Sequence, residues 1–374
     1  MALKGQAAPE VEHAYARARE LCQQLGEPPQ LFPVLLGMVR FYVVRGAAQT
    51  ARELGEQLLR LAQRGQDLAQ LLAAHQALGA TLFWQGECAL ACAHTEQGLA
   101  LYDPQQHRGH PVLYRINPGV NCLLYAAHSL GILGYPEQAR QQYQTALTRA
   151  QDLSHALTLV HAMFSVTMGH QFRREGRATQ ERAETVITLC TEQGSPLYVA
   201  WATTLRGWAL VTQGQTAEGI AQMRQGLAAT RTTGAEGLVP YWLALLAEAC
   251  GHTGQADEGL HLLAEALAVA DHNTERWYEA ELYRLKGELL LAQSPYQQTA
   301  AEACFQQALD IASAQRARSW ELRAAVSLSR LWQQQGKRDD ARTLLEPVYD
   351  WFTEGFDTTE LQEAKSLLEA LAQE

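Results

Sequence analysis

The sequence predicts an all-α solenoid of about eight stacked helical hairpins, flanked by one helix at each end. Three observations carry that expectation. Apolar residues recur at helical spacing, and no segment alternates with period two for long enough to form a strand. Glycines recur where hairpin turns belong, at Gly46, Gly86, Gly134, Gly176, Gly214, Gly254 and Gly336. Their separations are 40, 48, 42, 38 and 40 residues, then 82, which is two units. Small residues form two columns on the same period. Seven positions before each glycine stand Val39, Gly79, Ala127, Gly169, Gly207, Ala247 and Ser329. Five positions after it stand Ala51, Ala91, Ala139, Glu181, Gly219, Gly259 and Ala341. Only Glu181 is neither small nor apolar in its column, so the hairpin at Gly176 is expected to pack irregularly.

The hairpin at 277–312 shows the packing most clearly. Tyr283, Gly287 and Leu290 share one helix face, and Ala301, Phe305 and Ala308 share another. Small residues let two helix axes approach, and the larger side chains interlock beside them. The pattern is tetratricopeptide-like, but its period exceeds the roughly 34 residues of that repeat, so longer helices are expected. One hairpin leaves an apolar face uncovered, so its neighbours are part of the prediction.

In chain order, 7–25 reads as a helix ended by Gly26 and Pro28-Pro29. Helical pairs follow at 31–45 with 47–64, 68–85 with 88–101, 119–133 with 136–152, and 155–174 with 177–193. Ser195-Pro196 opens the next pair as a cap followed by a first-turn proline. That pair is 197–212 with 217–230, followed by 238–252 with 256–270. After the hairpin at 277–312, whose turn is Ser294-Pro295, comes 319–335 with 339–352. Pro347 should kink or shorten the last of these. A final helix at 359–371 puts Leu361, Leu367, Leu368 and Leu371 on one face, as a solenoid cap requires. The whole chain reads as one repeat domain, with an N-terminal helix in 1–28, repeats over 29–356 and the cap in 357–374.

Composition narrows the function. The chain is 47% hydrophobic and 19% charged, and its formal net charge is −10. A nucleic-acid backbone or an anionic membrane wants the opposite sign, so neither is an expected partner. Seven cysteines lie scattered through apolar helical patterns, which suits a reducing compartment better than a disulfide framework. The first dozen residues lack an apolar signal core. A cytoplasmic location is the expectation.

Few motifs carry chemistry. Cys88, Cys92, His94, His107 and His110 lie close together, but without the tight cysteine spacing of structural zinc sites. His155, His161 and His170 share one helix without a zincin pattern. Gly336-Lys337 is followed by Arg338, so it is not a phosphate loop. No metal, no cofactor and no catalytic residue is expected. The irregular connection at 103–118, DPQQHRGHPVLYRINP, is the least repetitive segment and a candidate functional loop.

Residues 14–101, the loop DPQQHRGHP, and the segments at 219–236, 278–291 and 332–371 resemble a known family. It is the C-terminal helical-repeat region of large bacterial signalling proteins, where that region follows an AAA-type or STAND-type ATPase, often with an adenylate/guanylate cyclase module. The chain is also similar to MalT-like superhelical sensor domains. The resemblance implies an input or scaffold module that controls an attached catalytic domain. It also implies that the first helix of each hairpin lines a concave face. Candidate contacts there are Arg40, Tyr42, Trp84, Asn121, Tyr125, His128, His170, Arg173, Arg206, Trp208, Tyr241, Trp242 and Arg284, joined by His107 and Tyr114 on the loop. Tyr, Trp and Arg are the usual anchors of binding surfaces.

Two functions fit. The first is a non-catalytic scaffold that docks a partner protein or an ATPase or cyclase module. The alternative is a sensor that takes a small molecule or peptide in the groove. An open concave face favours the first, and a buried apolar pocket with converging polar groups favours the second. A homodimer through the unpaired N-terminal helix is a further expectation.

Overall fold

A computed structural model describes residues 9–26, 29–104 and 115–373. Among the described residues there are eighteen α-helices and no strand. The N-terminal helix α1 is Pro9–Gln24. Eight hairpins follow: α2 (Leu31–Val44) with α3 (Ala48–Gly65), α4 (Leu68–Trp84) with α5 (Cys88–Ala100), and α6 (Pro118–Leu133) with α7 (Pro136–Asp152). Next are α8 (Ala156–Phe172) with α9 (Gly176–Glu192), α10 (Pro196–Thr212) with α11 (Thr216–Thr232), and α12 (Val239–His252) with α13 (Ala256–Asn273). The last are α14 (Glu279–Gln293) with α15 (Gln298–Ala314) and α16 (Arg318–Gln334) with α17 (Arg338–Asp350), capped by α18 (Thr359–Ala372). No helix among the described residues is long and apolar enough to cross a membrane.

Small residues set the spacing inside each hairpin. A Cβ on Gly287 would lie 2.5 Å from the Phe305 ring, and one on Gly207 would lie 2.6 Å from the Gly219 carbonyl. Helix axes therefore run as close as the backbone allows. In the cap, Leu361, Leu367 and Leu371 are buried and Leu368 packs beside them. Pro347 lies within α17, which continues three residues beyond it to Asp350 and stops short of the expected Phe352.

One expectation is corrected. Gly176 is not a turn residue; it is the first residue of α9. The left-handed position belongs to Arg174, with φ +58°. With Arg174 as the marker, its separations from Gly134 and Gly214 both become 40 residues. The position five residues on is then Thr179, which is fully buried. Glu181 belongs to the solvent face, where it pairs with Arg177. The apparent irregularity was a two-residue error in register. A second set of left-handed residues, Ser154, Gly194, Gly234 and Thr274, joins successive hairpins and also repeats every 40 residues.

The array coils until one superhelical turn rests on the next. Contacts recur between residues about 150 to 190 apart, roughly four to five repeats. The amides of Glu236 and Gly237 both donate to the Val44 carbonyl at 3.0 Å. The Arg276 amide donates to the Trp84 carbonyl at 2.9 Å. The Ser319 hydroxyl donates to the Gly131 carbonyl at 2.6 Å, and Arg323 donates to the Phe172 carbonyl at 2.7 Å. Four first helices thus end on acceptors taken by the following turn. Such carbonyls have no partner inside their own helix.

The turn glycines divide accordingly. A Cβ on Gly134 would lie 2.6 Å from the Trp351 ring and 2.9 Å from Arg318 Cβ, across the superhelical turn, whereas Gly254 has open space. Both have positive φ. Gly254→Ala should cost roughly 1–2 kcal/mol, the left-handed penalty alone. Gly134→Ala should cost roughly 1–3 kcal/mol more through overpacking. Thermal melts of the two variants check this; equal losses would mean that the turns do not touch at Gly134.

Candidate functional site

Closure of the coil turns the concave face into an interior. An aromatic septum crosses it. Trp277, fully buried, comes from the segment between α13 and α14. Its ring centroid lies 5.2 Å from Phe83, 5.3 Å from Tyr241, 5.6 Å from Phe172 and 5.0 Å from Tyr278. Phe83 and Phe172 belong to one superhelical turn, and Trp277 to the next. Edge and tilted ring pairs of this kind add about 0.5–1.5 kcal/mol each beyond burial. The Trp277 indole donates to Glu275 at 2.9 Å, and the Trp320 indole donates to the Trp277 carbonyl at 2.9 Å. The ring cluster is therefore fixed by hydrogen bonds as well as by packing.

On the N-terminal side of the septum lies a chamber of about 260 Å³. Its wall is built from the first helices α2, α4, α6, α8 and α10. Phe83, Trp84, Tyr125, Phe164 and Trp201 supply most of its aromatic surface. Its polar groups are Arg40, Gln76, Arg115, Asn121, His128, His161, Ser165 and Tyr198. His161 bridges two helices: its Nε2 lies 2.8 Å from Asn121 Oδ1 and its Nδ1 lies 3.0 Å from the Tyr198 hydroxyl. His128 Nδ1 lies 2.6 Å from the Tyr143 hydroxyl. Burial lowers His128 to about 3, and burial with the nearby Arg40 charge lowers His161 to about 4. Both rings are therefore neutral at pH 7. Gln76 Oε1 and Trp201 Nε1 have no hydrogen-bond partner among the described residues.

On the C-terminal side lies a second chamber of about 310 Å³, and its wall is charged. The fully buried Glu281 accepts from Arg284 Nε at 2.7 Å and from Arg323 at 2.8 Å. These two guanidinium groups outweigh its burial and hold its carboxyl down at about 2. Arg323 also donates to Glu360 of α18 at 2.6 Å and lies 4.5 Å above the Trp320 ring. Arg174 and Arg330 both pair with Glu363. Each arginine of this wall has a carboxylate partner.

Of the residues singled out from sequence, the structure brings together Arg40, Trp84, Asn121, Tyr125 and His128 in the first chamber. Arg284 lines the second. Tyr241 and Trp242 are fully buried in and beside the septum, and the Tyr241 hydroxyl donates to Gln171 at 2.7 Å. Trp208 is buried, with its indole 3.4 Å from Glu248. His170 pairs with Glu175, and Arg173 pairs with both Glu175 and Glu137. Arg206 donates to Gln222 at 2.7 Å. Tyr42 donates to Glu12 at 3.2 Å, away from the wall of either chamber. His107 and Tyr114 lie outside the described residues, as does most of their loop.

Sequence reading left Tyr198, Trp201 and Arg115 out of the candidates, and it read His161 only as a core or groove histidine without placing it at the site. The signal for two of them was the repeat itself. Thirteen positions before successive turn residues stand Asn121, His161, Trp201 and Tyr241, each 40 residues from the last. Every one of them faces the interior. The two-residue error at Gly176 hid that column.

Among the described residues, no group of three or more His, Cys, Asp or Glu is placed to hold a metal ion. Cys88, Cys92 and Cys122 are buried, and burial pushes the Cys92 thiol up to about 12. A thiol so shifted is a poor nucleophile.

Glu275 couples the septum to pH. Burial raises its carboxyl to about 7, against the pull of hydrogen bonds from Trp277 and the Leu238 amide. Between about 4.5 and 7 the group is protonated only in the folded chain. Its contribution to stability is therefore complete below about 4.5 and is lost as pH rises through about 7. Glu275→Gln should melt close to wild type at pH 5 and above wild type at pH 8. A variant whose melting point runs parallel to wild type across that range contradicts this assignment.

Comparison with known proteins supports the fold. No family model matches the chain, and no curated protein matches it. Among solved structures it is similar to a Rap protein complexed with Competence and Sporulation Factor, with a TM-score of 0.64 and 12% identity over 97% of this chain and 95% of that one. It is also similar to aspartyl phosphate phosphatase F from Bacillus subtilis, with a TM-score of 0.52 and 11% identity over 91% of this chain and 88% of that one. At such identities the likeness extends to architecture: a tetratricopeptide-like helical solenoid.

Proposed function

We propose that this chain is a regulatory sensor module: a coiled helical array whose first chamber binds a small molecule or the end of a peptide. The observation that carries this reading is the chamber itself. It is apolar over most of its wall, polar groups converge on it from five helices, and it lies on the concave face. Ligand sites generally combine those features. A scaffold docking its partner along an open groove is less well supported, because successive turns touch and narrow the groove. The chamber's neutral, hydrogen-bonded histidines support binding over catalysis.

The output would be a partner protein or an attached ATPase or cyclase module, as the resemblance of the repeats implies. The septum offers a route. It packs on the chamber wall through Phe83 and on the next turn through Trp277, so a ligand that moves Phe83 strains the contact between turns. The Rap structure was crystallised with Competence and Sporulation Factor, so this fold accommodates a bound factor; for this chain that is analogy. A second copy would dock at α1, where Leu21 and, just past the helix end, Leu25 are exposed.

Native mass spectrometry of the purified full chain, after exposure to cell extract, tests the reading. Wild type should carry a retained small molecule or short peptide. Ala80→Phe, which puts a ring into the chamber, should lose it while keeping the helical circular dichroism of wild type. A chain that retains no ligand, yet captures the same protein partner with and without Ala80→Phe, would contradict the sensor reading in favour of docking.

A further inference from the structure

Three uncharged side chains of the first chamber have hydrogen-bonding capacity that the protein leaves unused. They are Gln76 on α4, Asn121 on α6 and Ser165 on α8, and all three line the chamber. Each is more than nine-tenths buried, at 3%, 7% and 2% exposure. Gln76 Oε1 is buried without a partner among the described residues. Unlike Thr167 on the same helix, whose hydroxyl donates to the Met163 carbonyl at 2.8 Å, Ser165 has no partner among the described residues. Asn121 makes one side-chain bond among those residues, between its Oδ1 and His161 Nε2 at 2.8 Å. That bond fixes which end of the amide is free. A neutral imidazole carries one donor and one acceptor. His161 Nε2 donates to Asn121 Oδ1, so the Tyr198 hydroxyl donates to His161 Nδ1 at 3.0 Å. Both N–H groups of Asn121 Nδ2 are then left for the chamber.

The second chamber shows that unused groups are not the rule of the fold. Its wall is satisfied: Arg284 and Arg323 meet Glu281, and Ser327 donates to Glu288 at 2.5 Å. None of the buried, unpartnered side-chain atoms among the described residues belongs to that wall. A polar group enclosed without a partner is costly, so a cluster of them at one cavity points to a partner from outside the chain. The partner they fit is uncharged. Arg40 and Arg115, on the same wall, are engaged by interactions of their own. Enclosing a further charge is costly unless it is paired. The N–H groups of Asn121 fit a carbonyl oxygen, and Gln76 Oε1 fits an N–H. A carbonyl with an N–H beside it is an amide.

We infer that the first chamber takes an uncharged amide: a compact aromatic or aliphatic body that carries one carboxamide or lactam group. This rests on the sensor reading and names the ligand class. Phe83, Phe164 and Trp201 receive the body, because rings gain from edge and tilted contacts with other rings. Phe164 and Trp201 already pack this way, with centroids 5.2 Å apart. Asn121 donates to the ligand's carbonyl, Gln76 accepts from its N–H, and the Ser165 hydroxyl serves either. A volume of about 260 Å³ equals the bulk volume of roughly nine waters, at about 30 Å³ each, which sets the ligand at about that many heavy atoms. Benzamide is of that size. Both a free amide and the blocked backbone of a short apolar peptide present this chemistry.

Benzamide, benzoate, benzylamine and toluene share one ring and differ in the head group. Titrated into the full chain at pH 7 and followed by calorimetry, benzamide should bind about tenfold to a hundredfold more tightly than toluene. Benzoate and benzylamine should bind more weakly than benzamide. Gln76→Met should bring benzamide down toward toluene and leave toluene unchanged, which also shows that the variant is folded. Its melting point should not fall, because the Gln76 carboxamide oxygen has no protein partner to lose. Asn121→Leu should act on benzamide in the same direction. Acetyl-leucine methylamide separates the two sources: binding tighter than benzamide points to a peptide backbone, and weaker binding points to a free amide. Equal binding of benzamide and toluene, tighter binding of benzoate or benzylamine, or a benzamide preference that survives both variants, overturns the amide assignment and leaves the chamber reading intact. Failure of all four ring probes to bind, or binding that persists in Ala80→Phe, overturns the chamber reading itself.

Discussion

The contact of one superhelical turn with the next is the constraint on which the rest of this structure depends. Carbonyls of Val44, Trp84, Gly131 and Phe172, at the ends of four first helices, receive donors from residues about 150 to 190 positions later. A solenoid without such contacts would leave those groups to water and its concave face open. Here the coil closes on itself, and the groove narrows into partly enclosed chambers. The same contact explains why turn glycines differ in what surrounds them, and why a tryptophan between hairpins, Trp277, is fully buried.

Closure also gives the inward columns their meaning. Along the array, the positions that face the axis change character. In the first four repeats they include Arg40, Ala80, His128 and Met168; in later repeats the same column holds Glu248, Glu288 and Arg330. One backbone therefore builds an apolar, acid-free chamber at one end and a charge-balanced one at the other. The aromatic septum separates them. The Glu281–Arg284–Arg323–Glu360 network then ties α14, α16 and the cap together behind it. Breaking a buried pair of this kind typically costs about 3–5 kcal/mol, so that network is expected to hold the C-terminal end rigid.

Much of the fold was legible because the repeat writes itself in small residues. Gly207 and Gly219, or Ser329 and Ala341, stand in columns because two helix backbones meet there, and no large side chain fits. What stayed hidden was carried by residues that do not advertise their conformation. Arg174, Ser154 and Thr274 hold left-handed turns without being glycine, so a search by glycine mis-set one repeat by two positions. That error concealed His161 and Trp201, which share a column with Asn121. Tyr125 and His128 were singled out as aromatic or polar side chains on first helices, and the chamber contains both. Tyr241 and Trp208 fitted the same rule but lie in the packed interior. Long-range closure had no signature in a pattern of local period, since it depends on how small rotations accumulate over several repeats.

Hydrogen exchange of the full chain tests closure most directly. The amides of Glu236, Gly237 and Arg276 sit between helices and donate only to carbonyls of the preceding superhelical turn, Val44 and Trp84. In a closed coil these three amides should be protected to nearly the same degree as amides in the core of α12. Exchange at the rate of exposed loop amides, with α12 itself protected, would show an open solenoid and remove the enclosed chamber from the account.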